Sequence, residues 1–247
     1  MIDTHAHIVK EYYNNIESLV EELKEKNVLK VVNCATSIED SKEIIELSKV
    51  TNNFLLPAIG IHPEMVNDFD KIDELEKLIK ENKIIAIGEI GLDYYWNKEN
   101  KDNQKKCLNK LLDLAEKYNL PVLVHTRDSI QDTYDILKTR KLKGIIHCYS
   151  GSYEMAKEFI KLGYKLGIGG VLTFKNSKLY EVIEKIDLKD ILLETDSPYL
   201  SPEPHRGKQN NPYNIYYVAQ KIAQIKNVSL EEVINQTTSN FNDIFDI

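Results

Sequence analysis

The chain has 247 residues, 42% of them hydrophobic, and 32 basic against 39 acidic groups leave a formal charge of −7. That length suits one α/β domain spanning 1–247, since barrels of alternating strands and helices commonly run to about 250 residues. The acidic balance excludes a broad cationic surface for a long phosphate backbone, so any nucleic-acid contact must be local. The three cysteines, Cys34, Cys107 and Cys148, lack CxxC spacing and suit a reducing compartment better than a disulfide framework. The start of the chain has no leader pattern, and no apolar run reaches the 18 or so residues of a membrane span. The expectation is a cytoplasmic protein with no membrane association and no obligate protein partner.

In chain order, short β-branched runs alternate with longer segments whose apolar residues return every three or four positions, the sequence form of βα units. Strands are expected at Met1 to His7, Leu29 to Cys34, Phe54 to Ile59, Ile84 to Gly88, Pro121 to His125, Gly144 to His147, Tyr164 to Gly169 and Ile191 to Glu194. The intervening helices are Ile16 to Lys26, Ile38 to Val50, Ile72 to Glu81, Asn103 to Tyr118, Ser129 to Thr139, Tyr153 to Leu162 and Ser177 to Ile186. In the fourth, Cys107, Leu108, Leu111, Leu112, Leu114, Ala115 and Tyr118 form one apolar face. Two further helices, Pro212 to Ile225 and Leu230 to Ile244, follow, the second behind a Ser229/Glu232 capping box. Eight evenly spaced units, with no glycine-rich dinucleotide fingerprint at the first turn, predict an α/β fold of the (β/α)8 TIM-barrel kind over an open doubly wound sheet.

The polar residues fall where such a barrel is functional. His5, His7, Glu89, His125, His147 and Asp196 all lie at or just past predicted strand ends, which converge on one mouth. His5 and His7 are two apart, so both imidazoles share one face of the first strand. A lone strand-end histidine is ordinarily a hydrogen-bonded core residue. Four histidines and two carboxylates from five strands would be an expensive set of desolvated groups without something joining them, and a divalent metal joins them. Six donors exceed the needs of one tetrahedral ion with an open position, so two ions sharing a carboxylate and a hydroxide are expected, and with them hydrolysis.

Six stretches then carry a resemblance. They are Ile2-Asp3-Thr4-His5-Ala6-His7, Gly60-Ile61-His62-Pro63-Glu64, Gly88-Glu89-Ile90-Gly91-Leu92-Asp93, His125-Thr126-Arg127, His147-Cys148-Tyr149-Ser150-Gly151 and Glu194-Thr195-Asp196-Ser197-Pro198-Tyr199. In that order, over essentially the whole chain, they resemble the TatD family of metal-dependent deoxyribonucleases, within the amidohydrolase-like barrels. The resemblance implies that His5, His7 and Asp196 hold one metal, that His125 and His147 hold the other, and that Glu89 bridges them. It implies zinc, manganese or magnesium as the ions, Asp196 as general base, and DNA, single-stranded or at termini, as the substrate of exonuclease-like phosphodiester cleavage by a metal-bridging hydroxide.

Other positions are open to two readings each. His62 either hydrogen-bonds a substrate oxygen or anchors its loop, and Arg127 either clamps a phosphate or pairs with Asp93 or Asp128. Arg206, in the cationic stretch Pro204 to Pro212, is expected to contact substrate, whereas His205 and Lys208 suit a solvated loop. Tyr94, Tyr95 and Trp96 either stack unpaired bases or cap the rim. Gly167, Gly169 and Gly170 either present amides to a phosphate or serve a tight turn or close packing. Two rival functions share the motifs: an amidohydrolase-like enzyme cleaving a small-molecule C–N, ester or lactone bond, and a non-enzymatic metal-binding scaffold.

Overall fold

A computed structural model describes residues 1–96 and 98–245. Eight strands, β1 (Ile2–Ala6), β2 (Lys30–Cys34), β3 (Leu55–Ile59), β4 (Ala86–Asp93), β5 (Val122–Arg127), β6 (Gly144–Ile146), β7 (Tyr164–Ile168) and β8 (Ile191–Leu193), pair in parallel in sequence order. Between them run α1 (Ile16–Glu25), α2 (Ile38–Val50), α3 (Ile72–Glu81), α4 (Lys101–Tyr118), α5 (Ile130–Leu137), α6 (Tyr153–Lys161) and α7 (Leu179–Lys185), and α8 (Ile215–Lys226) and α9 (Leu230–Phe245) follow β8. This is the TIM barrel expected from the alternation.

Four of the helices, α1, α2, α6 and α9, start where a side chain satisfies a free amide of the first turn. Asn15, Ser37 and Ser152 accept from Ser18, Asp40 and Met155, and Ser229 accepts from Glu232 at 3.0 Å, the capping half of the box expected before α9. Asn119 and Asn227 end α4 and α8 in the left-handed region, at φ of 50° and 53°. Ahead of α3 the chain forms a 3-10 segment, Pro63–Lys71, which periodicity did not foretell because Asn67, Asp68 and Asp70 interrupt its apolar pattern.

Closure joins β1 to the segment after β8. Ala6 bridges Ser197 in parallel, the His7 amide donates to the Ser197 carbonyl at 2.7 Å, the Asp196 amide donates to His5 O at 2.9 Å, and Thr4 Oγ1 donates to Leu193 O at 3.0 Å. Asp3 clamps the seam from within, taking the Thr195 amide at 3.0 Å and its hydroxyl at 2.6 Å.

Two apolar clusters divide the core. Val31, Leu55, Ile87, Val122, Val124, Leu166, Ile168, Ile191 and Leu193 pack with the helices. Ile2, Val32, Cys34, Leu56, Ala58, Ala86, Leu123, Ile145 and Leu192 pack together instead, and Phe241, Ile244 and Phe245 of α9 join them. These alternate strand positions fill the barrel interior. Strict alternation would turn β1 and β4 the wrong way for the site, because Ile2 and Ala86 are interior and are three residues from His5 and Glu89. A break in register between Asp3 and Ala6 in β1, and another between Ile87 and Ile90 in β4, resets the parity. Irregularities of this kind beside a site re-aim side chains.

β4 also runs further than expected, through Glu89 to Asp93, pairing Gly91 with His125 and Asp93 with Arg127. Gly91, at φ 155°, permits this because a Cβ there would collide with the His125 carbonyl. Among the described residues no helix is long and apolar enough to cross a membrane.

Candidate metal centre

The six strand-end residues singled out by spacing converge at the C-terminal mouth. Glu89, from β4, lies between them and is almost wholly buried. Its Oε2 is 3.2 Å from His5 Nε2 and 3.4 Å from His7 Nε2. Its Oε1 is 2.8 Å from His125 Nδ1, 3.4 Å from His147 Nε2 and 3.6 Å from His62 Nε2. Asp196 comes in from the turn after β8, where φ of 57° bends the chain, and its Oδ1 is 3.4 Å from His7 Nε2 and 3.9 Å from both His5 and His147. His5 and His7 Nε2 are 3.3 Å apart.

These separations test whether the residues suit an ion. Donors about 2.0–2.1 Å from a tetrahedral zinc stand about 3.3 Å from one another. His5, His7 and Glu89 are already spaced in that range from one another, as are His7 and Asp196, whereas the His5–Asp196 gap is longer. Three overlapping groups of donors are close enough to hold ions: His5, His7 and Asp196; His5, Glu89 and His147; and His62, Glu89 and His125. The His5 and His147 rings stack at 3.6 Å, while the His125 and His147 centroids are 6.1 Å apart, so His147 sits nearer His5 than its expected partner His125.

The outward-facing nitrogens explain why the inner ones are available. His7 Nδ1 donates to Cys34 O at 2.9 Å, which leaves the Nε2 lone pair facing Glu89 and Asp196. His125 Nε2 is 3.1 Å from Asp93 Oδ2, and His147 Nδ1 is 3.2 Å from Glu194 Oε1. Carboxylates or carbonyls behind a histidine fix its orientation and make it a stronger ligand. Glu194 is completely buried, takes the Cys148 amide at 2.6 Å, and leaves Oε2 without a hydrogen-bond partner. The His147–Glu194 approach is within ion-pair distance but outside hydrogen-bond geometry, so the pair is held by charge more than by direction.

Spacing alone did not assign Asp93 and Glu194. A signal was nonetheless present, because Asp93 shares the parity of Glu89 along β4 and Glu194 the parity of Asp196. Gly167 is explained by the same arrangement, since a Cβ there would collide with Glu194 Oε2. Gly170 is similarly pressed against the Leu200 carbonyl, so close packing accounts for both glycines.

Burial disfavours charge on His147, yet Glu194, Glu89 and Asp196 together push it up to about 10. Burial likewise opposes charge on His125, and hydrogen bonds to Asp93 and Glu89 outweigh it, raising it to about 9. Burial also works against ionisation of Glu89, but the surrounding imidazoles, His147 first, hold its carboxyl well below the usual range. A site that gathers this much positive charge around two carboxylates attracts cations only as its protons leave.

His62 differs from the other four histidines. Its Nδ1 accepts the Glu64 amide at 3.2 Å, so the neutral ring presents Nε2–H to the site, and burial lowers its pKa to about 4. It faces Glu89 as a donor. Arg127 lies over Tyr95, 4.0 Å from the ring centroid, rather than in an ion pair with Asp93 or Asp128. Asp93 is already committed to His125 and to two main-chain amides. Arg206 stacks on Phe174 at 3.7 Å, and His205 Nε2 is 3.0 Å from the Tyr217 hydroxyl.

A (β/α)8 barrel with histidines and carboxylates at its mouth is the architecture of metal-dependent hydrolases. The family described as TatD related DNase matches residues 2–246, and the chain belongs to it. Among its relatives is the metal-dependent hydrolase YabD of Bacillus subtilis (strain 168), 39% identical over 100% of this chain and 99% of that protein. The deoxyribonuclease TATDN3 of Homo sapiens is 31% identical over 99% of this chain and 94% of its own. The crystal structure of YJJV, a TatD homologue from Escherichia coli K12, superposes with a TM-score of 0.91 at 28% identity, covering 100% of this chain and 98% of the other.

Proposed function

We propose that the protein hydrolyses phosphodiester bonds of DNA, trimming single strands or exposed termini, with two divalent ions held at the barrel mouth. The observation that carries this reading is the division of Glu89. One carboxylate oxygen faces His5 and His7, and the other faces His125 and His147. A carboxylate placed between two nests of imidazole is suited to bridge two ions. His5, His7 and Asp196 would hold one, His125 and His147 the other. When bound, paired ions supply a water of lowered pKa and neutralise charge on a phosphate.

The protein's own groups then divide the remaining work. Asp196 has the more open carboxylate, its side chain 15% exposed against 4% for Glu89, and can take a proton from water entering by the mouth. His62 Nε2–H is positioned to donate to a substrate oxygen. Arg206 lies on a loop beside the mouth and Arg127 at its rim, where each can meet phosphate outside the central cluster. Zinc suits the imidazoles, and manganese or magnesium the carboxylates. Acidity of the whole chain favours short or terminal substrates.

The test is cleavage of end-labelled single-stranded DNA by protein loaded in turn with zinc, manganese and magnesium, with Glu89→Ala purified identically. Stepwise shortening that vanishes in the variant is expected. Cleavage absent with every ion, or full metal content retained by Glu89→Ala, would overturn the reading.

A further inference from the structure

The three aromatic residues at the end of β4 part company. Tyr94 turns inward, only 5% exposed, with its hydroxyl on Asp132 at 2.7 Å and the Lys101 ammonium over its ring. Tyr95 and Trp96 turn outward, 49% and 64% exposed. Their outward pose is built rather than loose. Both amides donate to Asp93 Oδ1, at 2.8 and 3.0 Å, and the Tyr94 amide donates to the Arg127 carbonyl at 2.9 Å. The two rings meet edge to face at 4.8 Å, and the Arg127 guanidinium lies 4.0 Å from the Tyr95 centroid and 5.4 Å from that of Trp96.

Leaving two large rings in water forgoes favourable burial, and main-chain bonds fix the backbone that presents them. The same Asp93 that takes the two amides through Oδ1 meets His125 through Oδ2 at 3.1 Å, so the backbone that carries the rings stands one carboxylate away from the proposed metal ligands. A guanidinium beside exposed aromatic faces offers stacking for a base and a cation for the phosphate next to it.

We propose that Tyr95, Trp96 and Arg127 form a stacking platform for an unpaired nucleobase of the DNA strand whose phosphate occupies the metal centre. This rests on the phosphodiesterase reading above and adds how an acidic protein would select single strands. A base inside a duplex has both faces covered by its neighbours, whereas an unpaired one can lie on Trp96. Stacking is sequence-tolerant and largely independent of net charge, so it can supply grip that a −7 chain does not provide electrostatically.

Trp96 is the chain's single tryptophan, so its emission reports this platform alone. The metal-loaded protein is titrated with a phosphorothioate-linked oligothymidylate carrying a terminal dye. Binding is followed by dye anisotropy and stacking by Trp96 emission. Saturable quenching is expected, with none from an abasic oligomer of equal length and charge, and about tenfold weaker binding in Tyr95→Ala. Equal quenching by the abasic oligomer, or binding by anisotropy with emission unchanged, would overturn the platform while leaving the phosphodiesterase reading intact. Failure of the oligomer to bind at all would overturn both.

Discussion

The two ends of the barrel are built from the same eight strands on opposite rules. At the N-terminal end, interior positions are apolar and α9 inserts Phe241, Ile244 and Phe245 among them. At the C-terminal end, register breaks in β1 and β4 turn His5, His7 and Glu89 inward, where they are buried against other titratable groups. The lower end satisfies packing, and the upper end departs from it where chemistry is possible. Stability and function are thereby separated along the barrel axis, and mutations at the two ends should fail in different ways.

The sharpest test of that separation is Glu89→Ala. Activity on single-stranded DNA should fall by roughly three orders of magnitude, the scale of losing a principal electrostatic group, with loss of at least one ion by elemental analysis. Metal-free unfolding should change far less. Phe241→Ala is the converse. It should lower unfolding free energy by about 3–5 kcal/mol in denaturant titration while metal content and turnover of the folded protein persist. If Phe241→Ala emptied the metal centre, the two ends would not be independent.

A subtler change at the upper end is Glu194→Gln, which keeps the shape but removes the charge behind His147. Metal affinity should weaken about 10–100-fold in competition with a chelating dye. An unchanged affinity would make Glu194 a packing residue only.

The smallest effect is a dependence on pH. In metal-free protein the elevated His125 and His147, near 9 and 10 against an ordinary 6.5, stabilise the fold fully below pH 6.5. That contribution is lost as pH rises through 9 to 10. Glu89 acts oppositely, stabilising above the ordinary carboxylate value of 4.5 and ceasing to do so as pH falls through its depressed one. Bound ions replace the histidine protons, so the melting-temperature gap between loaded and chelated protein should widen from pH 6 to pH 9. A gap that narrows over this range would contradict the proton-for-metal exchange.

Much of this arrangement was legible in the residues. The βα alternation is a local pattern, so strand and helix positions followed from it, and the six polar strand ends stood out because they interrupt apolar runs. The register breaks did not, since they depend on which residue of β2 faces Ala6 and which of β5 faces Ile90. For the same reason β4 was expected to stop at Gly88, although it continues to Asp93. Asp93 was weighed as a partner for Arg127, yet its contacts with His125, Tyr95 and Trp96 are made only once that extra length of strand exists. Likewise the amphipathic pattern of α9 foretold a helix but not that its aromatic residues would enter the barrel floor.

The seam between β1 and β8 has a meaning in time as well as in space. The bonds joining Thr4 to Leu193 and Asp3 to Thr195 span 189 and 192 residues, separations that form slowly because a long loop must close before they are gained. Asp196 reaches His5 and His7 only across that seam. A refolding chain should therefore acquire the three-residue nest after its helices, and metal capture followed in stopped flow would mark the moment at which the barrel shuts.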